Sequence, residues 1–163
     1  MLERVANAVL FQIGWLTCVL GGNSLWLLLA LAVLVIHLRW ISSWAAEGRL
    51  ILSVVIVGTA VDSVLRGVGV FEFQDQSPLI PLWLMLLWAL LATTLRHCLA
   101  WSARPWWLAS VLGAVGGALS YYAGGRLAGV QFPYGELPTL IGIGLLWALL
   151  FPLLHSIARR LAH

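Results

Sequence analysis

The sequence predicts an all-α fold, a polytopic membrane helix bundle of about six transmembrane helices. Three observations carry that reading. The chain's 163 residues have a mean hydropathy of +0.99 and are 62% hydrophobic. Charged residues make up 9%, against roughly 25% in a soluble globular domain. The apolar residues fall into runs near the length of about 20 that crosses a hydrocarbon core of about 30 Å. Six acidic and nine basic residues are too few to clothe a water-facing surface, so 1–163 reads as a single integral membrane domain.

Six segments divide the chain, at about 6–20, 24–44, 49–70, 78–100, 106–125 and 137–160. The first, after Arg4, is expected to stay as a helix, because no small-x-small cleavage site of a secretory signal follows it. Gly21-Gly22-Asn23 closes it as a tight turn or, if the helix continues, as a kink that lowers the count to five. Asn23 is placed to cap the second segment. A polar stretch, 71–77, separates the third and fourth, Arg104-Pro105 the fourth and fifth, and an irregular stretch, 131–138, the fifth and sixth.

With six crossings Arg4, Arg39, Arg49, Arg96, Arg104, Arg159 and Arg160 gather on one face, while Arg126, Arg66, Glu72, Asp75 and Glu136 fall toward the other. The positive-inside rule then places both termini in the cytoplasm. The cations are all arginine and scattered singly, which speaks against nucleic acid as a partner. Seven of the ten tryptophans form interfacial belts; Trp15, Trp88 and Trp147 lie deeper, where they can line a cavity.

Polar residues at depth carry the most information, since a charge at a helix centre costs about 3 kcal/mol on insertion scales. Asp62 is the clearest. Arg66, four residues on, shares its face and can pair with it. Ser120 and Tyr121 reach the same depth on a fifth helix whose Gly113, Gly117 and Gly124 admit a close neighbour. Asp62, Arg66, Ser120, Tyr121 and Arg126 therefore form one candidate ligand site suited to an anionic or zwitterionic headgroup, with a structural ion pair as the open alternative. A second polar group, Thr93, Arg96, His97 and His37, lies toward the cytoplasm. His37, His97 and His155 have neither the i, i+4 spacing nor the neighbouring carboxylates of a strong metal site, so no metal and no cofactor is expected. Gln12 is expected to face inward and bond across helices. Cys18 and Cys98 fall on opposite faces and are not expected to pair. No motif of a known catalytic class is present, which leaves enzyme activity unsupported.

The runs Phe11-Gln12-Ile13-Gly14-Trp15, Cys18-Val19-Leu20-Gly21, Val61-Asp62-Ser63, Pro81-Leu82-Trp83, Thr93-Thr94-Leu95-Arg96-His97 and Gly116-Gly117-Ala118-Leu119-Ser120-Tyr121 resemble a small uncharacterised proteobacterial inner-membrane family, a domain of unknown function. Its genes tend to neighbour those of cyclopropane-fatty-acid-synthase-like and flavin amine-oxidase-like enzymes. The resemblance implies an inner-membrane accessory or lipid-binding component linked to fatty-acyl modification. Its expected partners are membrane lipids and lipid-modifying enzymes at the cytoplasmic face. A small-solute transporter, or its substrate-binding subunit, and a purely structural, partner-binding bundle are the other readings.

Overall fold

The computed structural model describes residues 1–74 and 77–162; Asp75, assigned above to the less basic face, lies outside them. The described residues form six α-helices and no strand: α1 (Leu2–Gly21), α2 (Leu27–Trp40), α3 (Trp44–Gly67), α4 (Leu82–Ala92), α5 (Trp106–Ala128) and α6 (Glu136–Arg160), with a short 3-10 helix at Ala100–Ala103. Helices α1, α3 and α6 are long and apolar enough to cross a membrane. Helix α5 matches them in length, at 23 residues, but glycine and aromatic residues dilute its hydropathy.

Local chemistry sets the helix ends. Gly22 sits at φ 55° and its N–H closes onto the Cys18 carbonyl, so Gly21-Gly22 is a turn and α1 and α2 are separate helices. Ser43 caps α3 by accepting the Ala46 N–H at 3.2 Å. Helix α4 stops at Ala92 instead of running on to residue 100. Thr93 and Thr94 turn their hydroxyls back onto the carbonyls of Leu90 and Leu91 at 2.7 and 2.6 Å, and the chain tightens into turns that lead to the 3-10 helix. Asn23 does not cap α2; its Oδ1 accepts the Trp83 N–H at 3.1 Å and ties the α1–α2 turn to the start of α4. Gln12 faces outward.

Glycines opposite large rings assemble the bundle. Gly58 of α3 receives the Trp88 ring of α4, Gly113 and Gly117 of α5 receive Phe151 and Trp147 of α6, and Gly14 of α1 receives Leu90. Helices α1 to α4 thus form one packed group and α5 with α6 a second, the two meeting where Trp88 stacks on Trp147 at 5.3 Å and 6°. The outer surface is as apolar as the interior. Ile141, Leu145, Leu149 and Leu153 form an exposed stripe at four-residue spacing, as do Val111, Val115 and Leu119. Such surface is unfavourable in water and native to lipid.

A Cβ at Gly58 falls inside the Trp88 ring, whereas one at Gly142 meets nothing within 4 Å. Gly58→Ala is expected to destabilise the protein by about 1–3 kcal/mol through overpacking and Gly142→Ala to leave it unchanged. Thermal melting of the two variants in one detergent checks the contrast.

Candidate functional site

A cavity of about 380 Å³ separates the two helix groups, within the range of about 300–1,000 Å³ typical of small-molecule sites. Phe11, Trp15 and Val19 of α1 and Trp88 of α4 line one side; the glycine face of α5 and Trp147 of α6 line the other. All three tryptophans assigned to depth are on this wall. Gly116 and Ser120 are wall residues and also exposed on the outer surface, so the cavity is a cleft that opens sideways between α1 and α5. Trp15 marks the opening with a 3.3 Å hydrogen bond to Ser120 Oγ. One end is capped by aromatic side chains. Phe71 stacks on Tyr121 at 5.5 Å and packs edge-on to Phe73 and Phe132. The two loops bearing them are joined by paired backbone hydrogen bonds between Glu72 and Gln131.

Asp62 stands behind the wall, fully buried. Its Oδ1 accepts the Tyr121 hydroxyl at 2.6 Å and its Oδ2 the Trp88 indole N–H at 2.8 Å. Both donors are cleft-lining residues on different helices, so the carboxylate acts by fixing two rings of the cavity wall. The structure therefore brings Asp62 and Tyr121 together and adds Trp88. Arg66 has other partners than Asp62: it donates to the Leu79 carbonyl at 2.8 Å and lies over the Phe73 ring at 5.0 Å. Helix α3 ends at Gly67, and the long guanidinium stem follows the chain to this outer loop. Ser120 belongs to the cleft mouth. Arg126 is at the surface, 3.0 Å from Glu136 and over Tyr122, where hydration favours an exposed pair over a buried one.

The second group is centred on a residue the sequence analysis did not single out. Glu47, 2% exposed, places Oε2 at 2.8 Å from His37 Nε2 and Oε1 at 2.6 Å from His97 Nε2. The histidines do have a neighbouring carboxylate. Asn7 completes the network: its Oδ1 accepts the Cys98 N–H, and its Nδ2 donates to the Thr93 carbonyl and faces His37 Nδ1 at 3.2 Å. Thr93 thus enters through its backbone. Arg96 stays outside, clamping the carbonyls of Ala46 and Ala158 at 2.8 and 2.9 Å. The only sequence-level signal for Glu47 was a lone acid in the first turn of a helix, which reads as dipole compensation.

The ring nitrogens and carboxylate of His37, Glu47 and His97 lie within 4.8 Å of one another, a spread that suits a divalent cation. The hydrogen bonds assign these atoms differently. Two backbone partners fix the Asn7 amide, so a donor faces His37 Nδ1. That nitrogen must accept, and the ring proton sits on Nε2, directed at Glu47. Coordination through His37 Nε2 would move the proton to Nδ1 and set donor against donor.

The chain belongs to the DUF2878 family, described as a protein of unknown function, whose profile matches residues 4–153. No curated protein and no solved structure matches it.

Replacing Glu47 with Gln offers one of the two histidine N–H groups a donor in place of an acceptor. The expected loss of stability is about 1–3 kcal/mol, measured by denaturation in detergent with Glu3→Gln as the neutral control. A chelator is expected to leave the melting temperature of the wild type unmoved. A drop that zinc reverses would show that His37 is coordinated instead.

Proposed function

We propose that this membrane protein binds lipid, its cleft taking an acyl chain directly from the surrounding bilayer, and that it serves as an accessory component in fatty-acyl modification at the bacterial inner membrane. The observation that carries the reading is the sideways opening at Gly116 and Ser120 in a surface that is itself apolar. A ligand entering there leaves hydrocarbon for hydrocarbon and needs no aqueous path. The aromatic and glycine lining offers dispersion contacts and few fixed polar groups, which suits a methylene chain. The aromatic cap over one end counts against passage of a polar solute from face to face. The link to fatty-acyl modification is carried over from the family resemblance alone.

In this reading six segments cross the bilayer, with the end bearing Arg4, Arg104 and Arg159 in the cytoplasm. The 11 residues of α4 span about 16 Å, so the turns that follow Ala92 complete its crossing.

A Cβ at Gly116, on the cleft wall, meets nothing within 4 Å, so Gly116→Trp is the substitution chosen to occupy the cleft. Native mass spectrometry of gently solubilised protein is expected to find lipid bound to the wild type and about tenfold less on Gly116→Trp, equivalent to ~1.4 kcal/mol of binding. Lipid retained at wild-type level by a folded Gly116→Trp variant would overturn the proposal.

A further inference from the structure

The two ends of the cleft differ in charge and in closure. At the capped end the described charges are mixed: Arg66 lies over Phe73 and donates to the Leu79 carbonyl, Arg126 is paired with Glu136, and Glu72 sits in the loop pair. At the other end Leu99, Trp101 and Ser102 reach the cavity wall, and Trp101 is also 58% exposed. Arg104 follows Ser102 by two residues and is exposed. Arg159 reaches the same segment from α6, its Nη1 lying 3.4 Å from the Ala103 carbonyl. From α1 comes Arg4, exposed and seven residues before Phe11, hence on the same helix face about 10 Å further along. The acids nearby among the described residues are Glu3 and Glu47, and Glu47 is buried and committed to two histidines.

Three arginines from three elements thus lie toward the open end of an apolar slot, with the exposed Trp101 on its wall. We infer that this end receives the phosphate of an anionic glycerophospholipid, one acyl chain of the same molecule lying in the cleft. The inference rests on the lipid-binding reading of the cleft and adds the headgroup class and its orientation. Guanidinium groups match phosphate oxygens in bidentate fashion and are less strongly hydrated than ammonium. A headgroup carrying net negative charge is favoured over a zwitterionic one, whose own ammonium offsets the attraction. At the capped end Arg66 and Arg126 stand among Glu72 and Glu136, and Phe71 with Phe132 closes over the slot itself, so the chain lies with its methyl end toward Phe71 and Phe132.

The test is titration of the purified full chain in detergent with dioleoyl phosphatidylglycerol and dioleoyl phosphatidylcholine, read by native mass spectrometry. The wild type is expected to prefer phosphatidylglycerol about tenfold. Arg104→Gln is expected to reduce the preference, and the triple Arg4→Gln, Arg104→Gln, Arg159→Gln variant to abolish it while phosphatidylcholine still binds. Arg39→Gln, on the same basic face but away from the mouth, is expected to keep it. Excess inorganic phosphate should leave lipid occupancy unchanged if the site takes the headgroup as part of a lipid; full displacement of the preference by phosphate would make it a free-anion site and overturn the inference. Equal affinity of the wild type for both lipids, or loss of the preference in Arg39→Gln as large as in Arg104→Gln, would also overturn it. The underlying reading fails separately: in that case Gly116→Trp binds both lipids as the wild type does.

Discussion

The Glu47 carboxylate is the constraint on which the arrangement of the first four helices depends. Burying an isolated carboxylate is prohibitive, and the cost is met only if donors converge on both oxygens. Here they come from the end of α2 and from the turns after α4, while Asn7 of α1 orients one of the donors and bonds twice to the turn backbone. Four segments distant in sequence are thereby held at one point, and none can shift without exposing a charge or stranding a donor. The network sits one helical turn from Phe11, the first α1 residue on the cleft wall. The tilt of α1 and the exit of the chain from α4 are set there, and with them the width of the cleft.

A second buried carboxylate does the corresponding work at the middle of the bundle. Asp62 bonds a tryptophan from its own helix group and a tyrosine from the α5–α6 pair. Trp88, held in that way, meets Trp147 face to face, and Trp147 in turn packs into Gly117. The chain of contacts explains how the two helix groups are joined along a line of rings beside the cleft. A cavity beside such a joint is favoured because many of its wall residues are rigid aromatics with few rotamers.

The helical bundle was legible because its signal is distributed: hydropathy over runs of about 20 residues and breakers at Gly21-Gly22 and Arg104-Pro105 survive any local surprise. The early end of α4 was hidden because two threonines within an apolar run look compatible with a helix until their hydroxyls compete for backbone carbonyls. Asp62 and Tyr121 were found together because depth along a helix follows from residue count. Arg66 was misplaced by the same reasoning, since a residue count locates a Cα and not the tip of a flexible side chain whose best partners lie in a loop. Glu47 was missed because its partners are separated from it by 10 and 50 residues and by different distances along their own helices. No periodicity links residues that meet only where helix ends converge.

Polar chemistry in this chain is divided by purpose. The buried acids are saturated with neutral or histidine donors and hold helices in place, and neither is placed on the cleft wall. The exposed cations stand at the ends, where water and headgroups meet them. Between the two lies a slot whose surface is ring, glycine and aliphatic side chain, with Ser102 and Ser120. Specificity for a ligand can then arise only where slot and cations adjoin, because an apolar slot cannot strongly reject a chain longer or shorter by one methylene, which is worth about 1 kcal/mol. Each oxygen of the two buried carboxylates accepts a hydrogen bond from a residue that the packing holds fixed.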